Sequence, residues 1–128
     1  MEALIFDFDG LIVDTESGEI ESWRALYHEH GVPFPLEKFQ SLIGTADGEF
    51  DPFGYLSERS ARALNREDIH QRQRKRVLDH MNSLTALPGV EALLESAAAA
   101  GICLAVASSL IHSWVDVYLH RLGLLRYF

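Results

Sequence analysis

Ala3-Leu4-Ile5-Phe6-Asp7-Phe8-Asp9-Gly10, near the start of the chain, is a short apolar run that two carboxylates and a glycine bring to a stop. Leu4, Ile5, Phe6 and Phe8 are apolar on both faces, the pattern of a strand buried on both sides in a parallel sheet. Asp7 and Asp9 lie two residues apart, so strand periodicity sends both side chains to one side. They fall at the carboxyl end of the strand, where open α/β sheets bind ligands. Two like charges this close repel each other unless a cation shares them. A hard divalent cation such as Mg²⁺ suits oxygen donors. With that cation in place, one aspartate can attack a phosphoryl group while its neighbour handles protons. Gly10 frees the chain to turn sharply afterwards. Taken alone, the four residues from Asp7 to Gly10 equally fit an acidic turn or a calcium loop.

Further along, Thr15 to His30 is polar, with Ile20, Trp23, Leu26 and Tyr27 at helical spacing and Gly31 where a left-handed C-terminal cap belongs. Pro33, Pro35, Pro52 and the glycines cut Val32 to Leu64 into pieces, which predicts two short helices, one on each side of Gly44. Asn65 with Asp68 has the look of a capping box, and Ile69, Val77, Leu78 and Met81 give the helix it opens a partial apolar stripe as far as about Ser83. Leu87-Pro88-Gly89 is a turn. Val90 to Ala100 is a helix stopped by Gly101, Ile102 to Ala107 a second buried strand with Ser108 at its end, and His112 to Leu122 a last helix. Strands separated by helices imply a parallel α/β sheet, and the block from Thr15 to Ser83 is too long for one crossover. It reads as an inserted helical lid: residues 1–14 with 85–128 form the sheet domain and 15–84 the insertion. Two strands do not make a stable parallel sheet, so further strands from a longer chain are expected, and self-association of these residues alone through the open edges.

Composition narrows the class. Of the 128 residues 48% are apolar and 23% charged, which excludes disorder, and one cysteine excludes a disulfide scaffold. The formal charge of -8 disfavours nucleic acid and anionic membranes as partners. An anionic substrate must then be drawn locally, by a metal or by helix N-termini. Cys103, in an apolar stretch, is expected to be a buried thiol in a reducing compartment. Asp7, Asp9 and Asp14 interrupt the apolar N-terminus before a signal core or membrane span forms, so a cytoplasmic placement is expected. Arg72, Arg74, Lys75 and Arg76 read as a solvated helix face. His28 with His30, and His112 with His120, lack the spacing and companion ligands of a metal site and read as surface or helix-end residues. Trp23 and Trp114 read as packing residues.

The wider string Asp7-Phe8-Asp9-Gly10-Leu11-Ile12-Val13-Asp14-Thr15-Glu16 closely resembles the first motif of the haloacid dehalogenase (HAD) superfamily, in the subgroup that carries a helical cap directly after it. Leu87-Pro88-Gly89-Val90 resembles the return to the core, and Leu104 to Ser109 the second motif, a hydrophobic strand ending in Ser or Thr. The resemblance implies a Rossmann-like core of parallel strands with an inserted α-helical cap, and a Mg²⁺-dependent phosphatase acting on a small phosphorylated metabolite. It makes Asp7 the nucleophile that forms an aspartyl-phosphate and a Mg²⁺ ligand. Asp9 becomes the general acid and then the base, its backbone carbonyl also binding Mg²⁺. Ser108, with Ser109, Phe8, Gly10 and Thr45, falls to the phosphate and substrate. Helix capping is the plain alternative for Ser108 and Ser109.

Some family features have no match. The lysines, Lys38 and Lys75, lie inside the presumed lid, and no acid follows Asp116, so the third and fourth motifs are missing. The chain is therefore expected to be the N-terminal part of a longer protein and to be weak or inactive by itself. Gly44-Thr45-Ala46-Asp47 falls where related caps carry a substrate loop, but the arginine of the sugar-phosphate mutases is absent. Glu19 stands where those mutases have a histidine. A phosphatase is favoured over a phosphomutase, with a non-catalytic binding module as a third reading; Asp9 argues against the dehalogenase branch, which lacks it.

Overall fold

A computed structural model describes residues 2–42 and 49–128. The elements run β1 (Ala3–Asp7), α1 (Thr15–Glu29), α2 (Leu36–Gln40), α3 (Pro52–Arg59), α4 (Arg66–Ser83), α5 (Val90–Ala99), β2 (Cys103–Ala107) and α6 (His112–Arg121), followed by a 3₁₀ turn at Leu125–Tyr127. They form two compact units, Met1–Thr15 with Leu84–Phe128, and Glu16–Ser83.

In the first unit β1 and β2 pair in parallel, in a register that sets Ala3 beside Cys103 and Asp7 beside Ala107. Phe6 and Phe8 point into the core with Ile12, Val13, Leu94, Val115, Tyr118, Leu119 and Leu124. Phe6 meets Phe128 edge-on at 6.0 Å and Phe8 lies 6.4 Å from Tyr118. Burial on both faces, expected from the composition of β1 and β2, is not found. Ile5 is 72% exposed, and Cys103, expected to be a buried thiol, is exposed. The cause is geometric: alternate residues of a strand face opposite ways, and among the described residues only one face of this two-stranded sheet is covered. An open apolar groove of about 510 Å³ borders β2, lined by Leu104, Val106, Val115, Leu119 and Phe128 among others. Trp114, expected to pack, is 51% exposed on α6.

The helical unit has its own aromatic core. Trp23, Leu26 and Tyr27 of α1 pack with Val32, Phe39, Phe53, Leu56 and Ile69. α1 ends as its sequence requires: Gly31 takes φ 67°, and the Val32 amide returns to the Tyr27 carbonyl at 2.9 Å. α4 is opened by Asn65, whose Oδ1 accepts from the Asp68 amide at 3.0 Å. Its apolar stripe is thinner than expected, because Leu78 is 45% exposed while Gln73 is buried. Gln73 Nε2 donates to Ser22 Oγ at 3.2 Å. Gly18 comes so close to His80 that a Cβ there would stand 2.3 Å from the ring. A small, polar seam thus joins α1 to α4. The basic run of α4 is only partly a solvated face, since Arg72 and Arg76 both pair with Glu29 of α1. Arg66 grips Asp51, at the start of α3, through both guanidinium nitrogens at 3.3 and 2.9 Å, and this bond holds the Asp51 carboxyl below its usual range.

Tyr27 is fully buried, and its hydroxyl donates to the Pro52 carbonyl at 2.7 Å. Burial, followed by the nearby Tyr55, pushes its ionisation well above the ordinary tyrosine value. The folded state therefore holds this proton more tightly than the unfolded chain. The resulting stability is complete below the normal tyrosine pKa of about 10 and is lost as pH rises beyond it. Denaturant titrations at pH 8 and pH 11 are expected to show a larger alkaline loss of stability for the parent protein than for Tyr27→Phe. Equal losses would remove Tyr27 as the source.

Candidate active site

β1 and β2 end side by side, so the residues just past Asp7 and Ala107 meet. After Asp7 the chain folds back on itself: the Phe8 carbonyl accepts from the Ile12 and Val13 amides at 3.1 and 3.3 Å, and the Gly10 amide donates to the Val13 carbonyl at 2.8 Å. Gly10 sits at φ 73°, the left-handed region that a side chain disfavours. The fully buried Phe8, Ile12 and Val13 form the base of this loop. It leaves Asp7 exposed and Asp9 half-buried.

Asp9 is held from two directions. Thr15 Oγ1, at the start of α1, donates to Oδ1 at 2.9 Å. Ser108 Oγ, one residue beyond β2, donates to Oδ2 at 3.1 Å. The Ser108 oxygen in turn accepts from the Leu110 amide at 3.0 Å, a local turn that fixes the hydroxyl. Each carboxylate oxygen thus has its own donor, which sets the orientation of the group.

The structure gathers Asp7, Asp9 and Ser108 at one strand end. Ser109 is exposed, with no contact to Asp9 among those described, and Thr45 lies outside the described residues. Phe8 contributes its side chain to the core and its carbonyl to the loop, and the Gly10 amide is taken by Val13. Thr15 was not singled out from the sequence, although a threonine opening a helix six residues after the second aspartate was the available signal. Glu19 Oε1 accepts from Trp23 Nε1 at 3.3 Å. Among the described residues no group of three His, Cys, Asp or Glu could hold a metal. The donors at hand are the two carboxylates and nearby backbone carbonyls, all hard oxygen. That set fits Mg²⁺, which takes one or two protein carboxylates and completes its shell with water and phosphate oxygens.

The sequence profile of the haloacid dehalogenase-like hydrolases matches residues 4–128. The chain belongs to that family. The Bacillus subtilis protein YhcW, named as a phosphatase, is 45% identical over 124 residues, 97% of this chain and 56% of its own. A Thermotoga maritima protein named phosphorylated carbohydrates phosphatase is 31% identical over 130 residues, all of this chain and 59% of its own. The crystal structure of a HAD family hydrolase from Deinococcus radiodurans with bound phosphate and sodium superposes with a TM-score of 0.76 at 25% identity, over 99% of this chain and 55% of that one. The chain spans between 55% and 59% of the length of these relatives.

Within this HAD chain the basic side chains of the sheet unit are Arg121 and Arg126. Arg121 lies over the Tyr118 ring and donates to the Leu84 carbonyl, while Arg126 bonds Tyr127 and neighbours Glu91. Thr15→Val is expected to lower stability by about 1 kcal/mol, the size of a lost hydrogen bond, with Thr15→Ser restoring most of it. Urea unfolding of the two variants checks this; a Thr15→Val protein as stable as the parent would show that the hydroxyl bond to Asp9 contributes nothing.

Proposed function

We propose that the protein carrying this chain is a Mg²⁺-dependent phosphoric monoester hydrolase of small phosphorylated metabolites, with phosphorylated sugars the first class to try. The pairing of an exposed Asp7 with an Asp9 fixed by two hydroxyls carries the reading. Family membership and the phosphatase names of two relatives support it, as does the phosphate in the Deinococcus structure.

The Asp7 carboxylate attacks phosphorus in line with the ester oxygen, forming an acyl phosphate as the P–O ester bond breaks. Asp9 gives its proton to the departing alkoxide, so the alcohol leaves neutral. In the second half Asp9 takes a proton from water, the water oxygen attacks the same phosphorus, and inorganic phosphate leaves Asp7 free again. Ser108, at the end of β2, supplies a hydroxyl for a phosphoryl oxygen. The Asp7 carboxylate and the Asp9 backbone carbonyl would hold Mg²⁺. When bound, the ion offsets the repulsion between carboxylate and phosphate. Arg121 and Arg126, the arginines of the sheet unit, bond to other groups. The inserted helical segment, residues 15–84, is assigned the selection of substrate.

Asp7→Asn should leave the far-ultraviolet spectrum unchanged and reduce phosphate release from a panel of sugar phosphates by at least about 10³-fold, the scale on which a covalent nucleophile counts. Normal phosphate release by the variant would remove Asp7 from its role. Conversion of a sugar phosphate to its isomer without release would replace hydrolysis by a mutase reaction.

A further inference from the structure

The Ser108 hydroxyl has one proton, and that proton lies on Asp9 Oδ2 at 3.1 Å. One of its two lone pairs accepts from the Leu110 amide. An unprotonated phosphoryl oxygen can engage this hydroxyl only by drawing its proton away from Asp9. We infer that Ser108 is a toggle, its single donor passing from Asp9 to the phosphoryl group, and that arrival of the phosphoryl group thereby unmasks Asp9 Oδ2. This rests on the phosphoester reading of the same site and adds to it a coupling between ligand and acid/base.

The geometry gives the toggle two properties. Asp9 does not swing free when Ser108 lets go, because Thr15 Oγ1 keeps Oδ1 at 2.9 Å. The oxygen that is released is the one facing Ser108, and so the one nearest the group that has captured the hydroxyl. Thr15 is then a positioning residue, acting through Asp9, and Ser108 is both a phosphate donor and a restraint on the acid/base. Leu110 matters as well: its amide fixes the Ser108 oxygen, so the hydroxyl changes partner by rotating its proton rather than by moving its oxygen.

A binding cycle separates this from simpler roles. Affinity for inorganic phosphate, in saturating magnesium, is measured by equilibrium dialysis for the parent protein, Ser108→Ala, Asp9→Leu and the double variant. Asp9→Leu is close in size and accepts no hydrogen bond; Asp9→Ala stands in if the leucine variant does not fold, with circular dichroism as the check. With a toggle, part of what Ser108 gives phosphate is offset by the bond it gives up to Asp9. Its removal should therefore cost more once Asp9 is gone, by a further factor of about three or more, the usual size of coupling between groups in contact. Thr15→Val should leave phosphate affinity within about twofold, because that hydroxyl never changes partner, and should lower kcat at unchanged KM. Equal costs of Ser108→Ala in both backgrounds would overturn the toggle, since the two groups would then be independent. A cost that vanishes in the Asp9→Leu background would also overturn it, leaving Ser108 as a brace for Asp9 alone. If the folded parent protein and all variants fail to bind phosphate, the phosphoester reading itself falls, which is a different result from either.

Discussion

A carboxylate restrained at both oxygens is the constraint on which the site depends. Asp9 could not be so held by its own loop. One donor, Thr15, comes from the start of α1 and the other, Ser108, from beyond β2, so the grip exists only because the parallel register brings both strands to an end together. A shift of one residue would turn β2's side chains to the opposite face and carry Ser108 away. The packing of Phe6 against Phe128 and of Phe8 against Tyr118 of α6 opposes that shift. Core packing and site geometry are thus one problem here, with alternate residues of a single strand serving each.

The electrostatics point the same way. The sheet unit places exposed Asp7 beside half-buried Asp9, and its two arginines are tied to Tyr118, Leu84, Tyr127 and Glu91. An anionic substrate entering this field meets repulsion first. In the proposed reaction a divalent ion on Asp7 would reverse the sign locally, and the fixed hydroxyls would add donors without adding charge. The helical unit is organised differently, around an aromatic core and ion pairs such as Asp51 with Arg66 and Glu29 with Arg72 and Arg76.

Much of this was legible in the residues. The apolar run closed by Asp7 and Asp9, the glycine stop at Gly31, the cap at Asn65 and the order of strands and helices are local signals, and the structure follows them. The HAD motif around Asp7 led to the family that the profile confirms. What local pattern could not supply was environment. Ile5, Cys103 and Trp114 look like core residues, yet exposure is set by which elements cover a surface, and that is a property of the assembled layers. Gln73 went unnoticed for the opposite reason: a polar residue enters a helix seam only when a partner such as Ser22 lies opposite. The role of Thr15 depends on a contact across six residues of looped chain, which no periodicity records.

The most direct test of the account is where a phosphoryl mimic settles. A crystal structure of the protein with magnesium and beryllofluoride should show beryllium bonded to an Asp7 carboxylate oxygen, with Asp9 beside it and still joined to Thr15. Beryllofluoride on Asp9, on another residue or nowhere at the end of β1 would contradict the division of labour between the two aspartates.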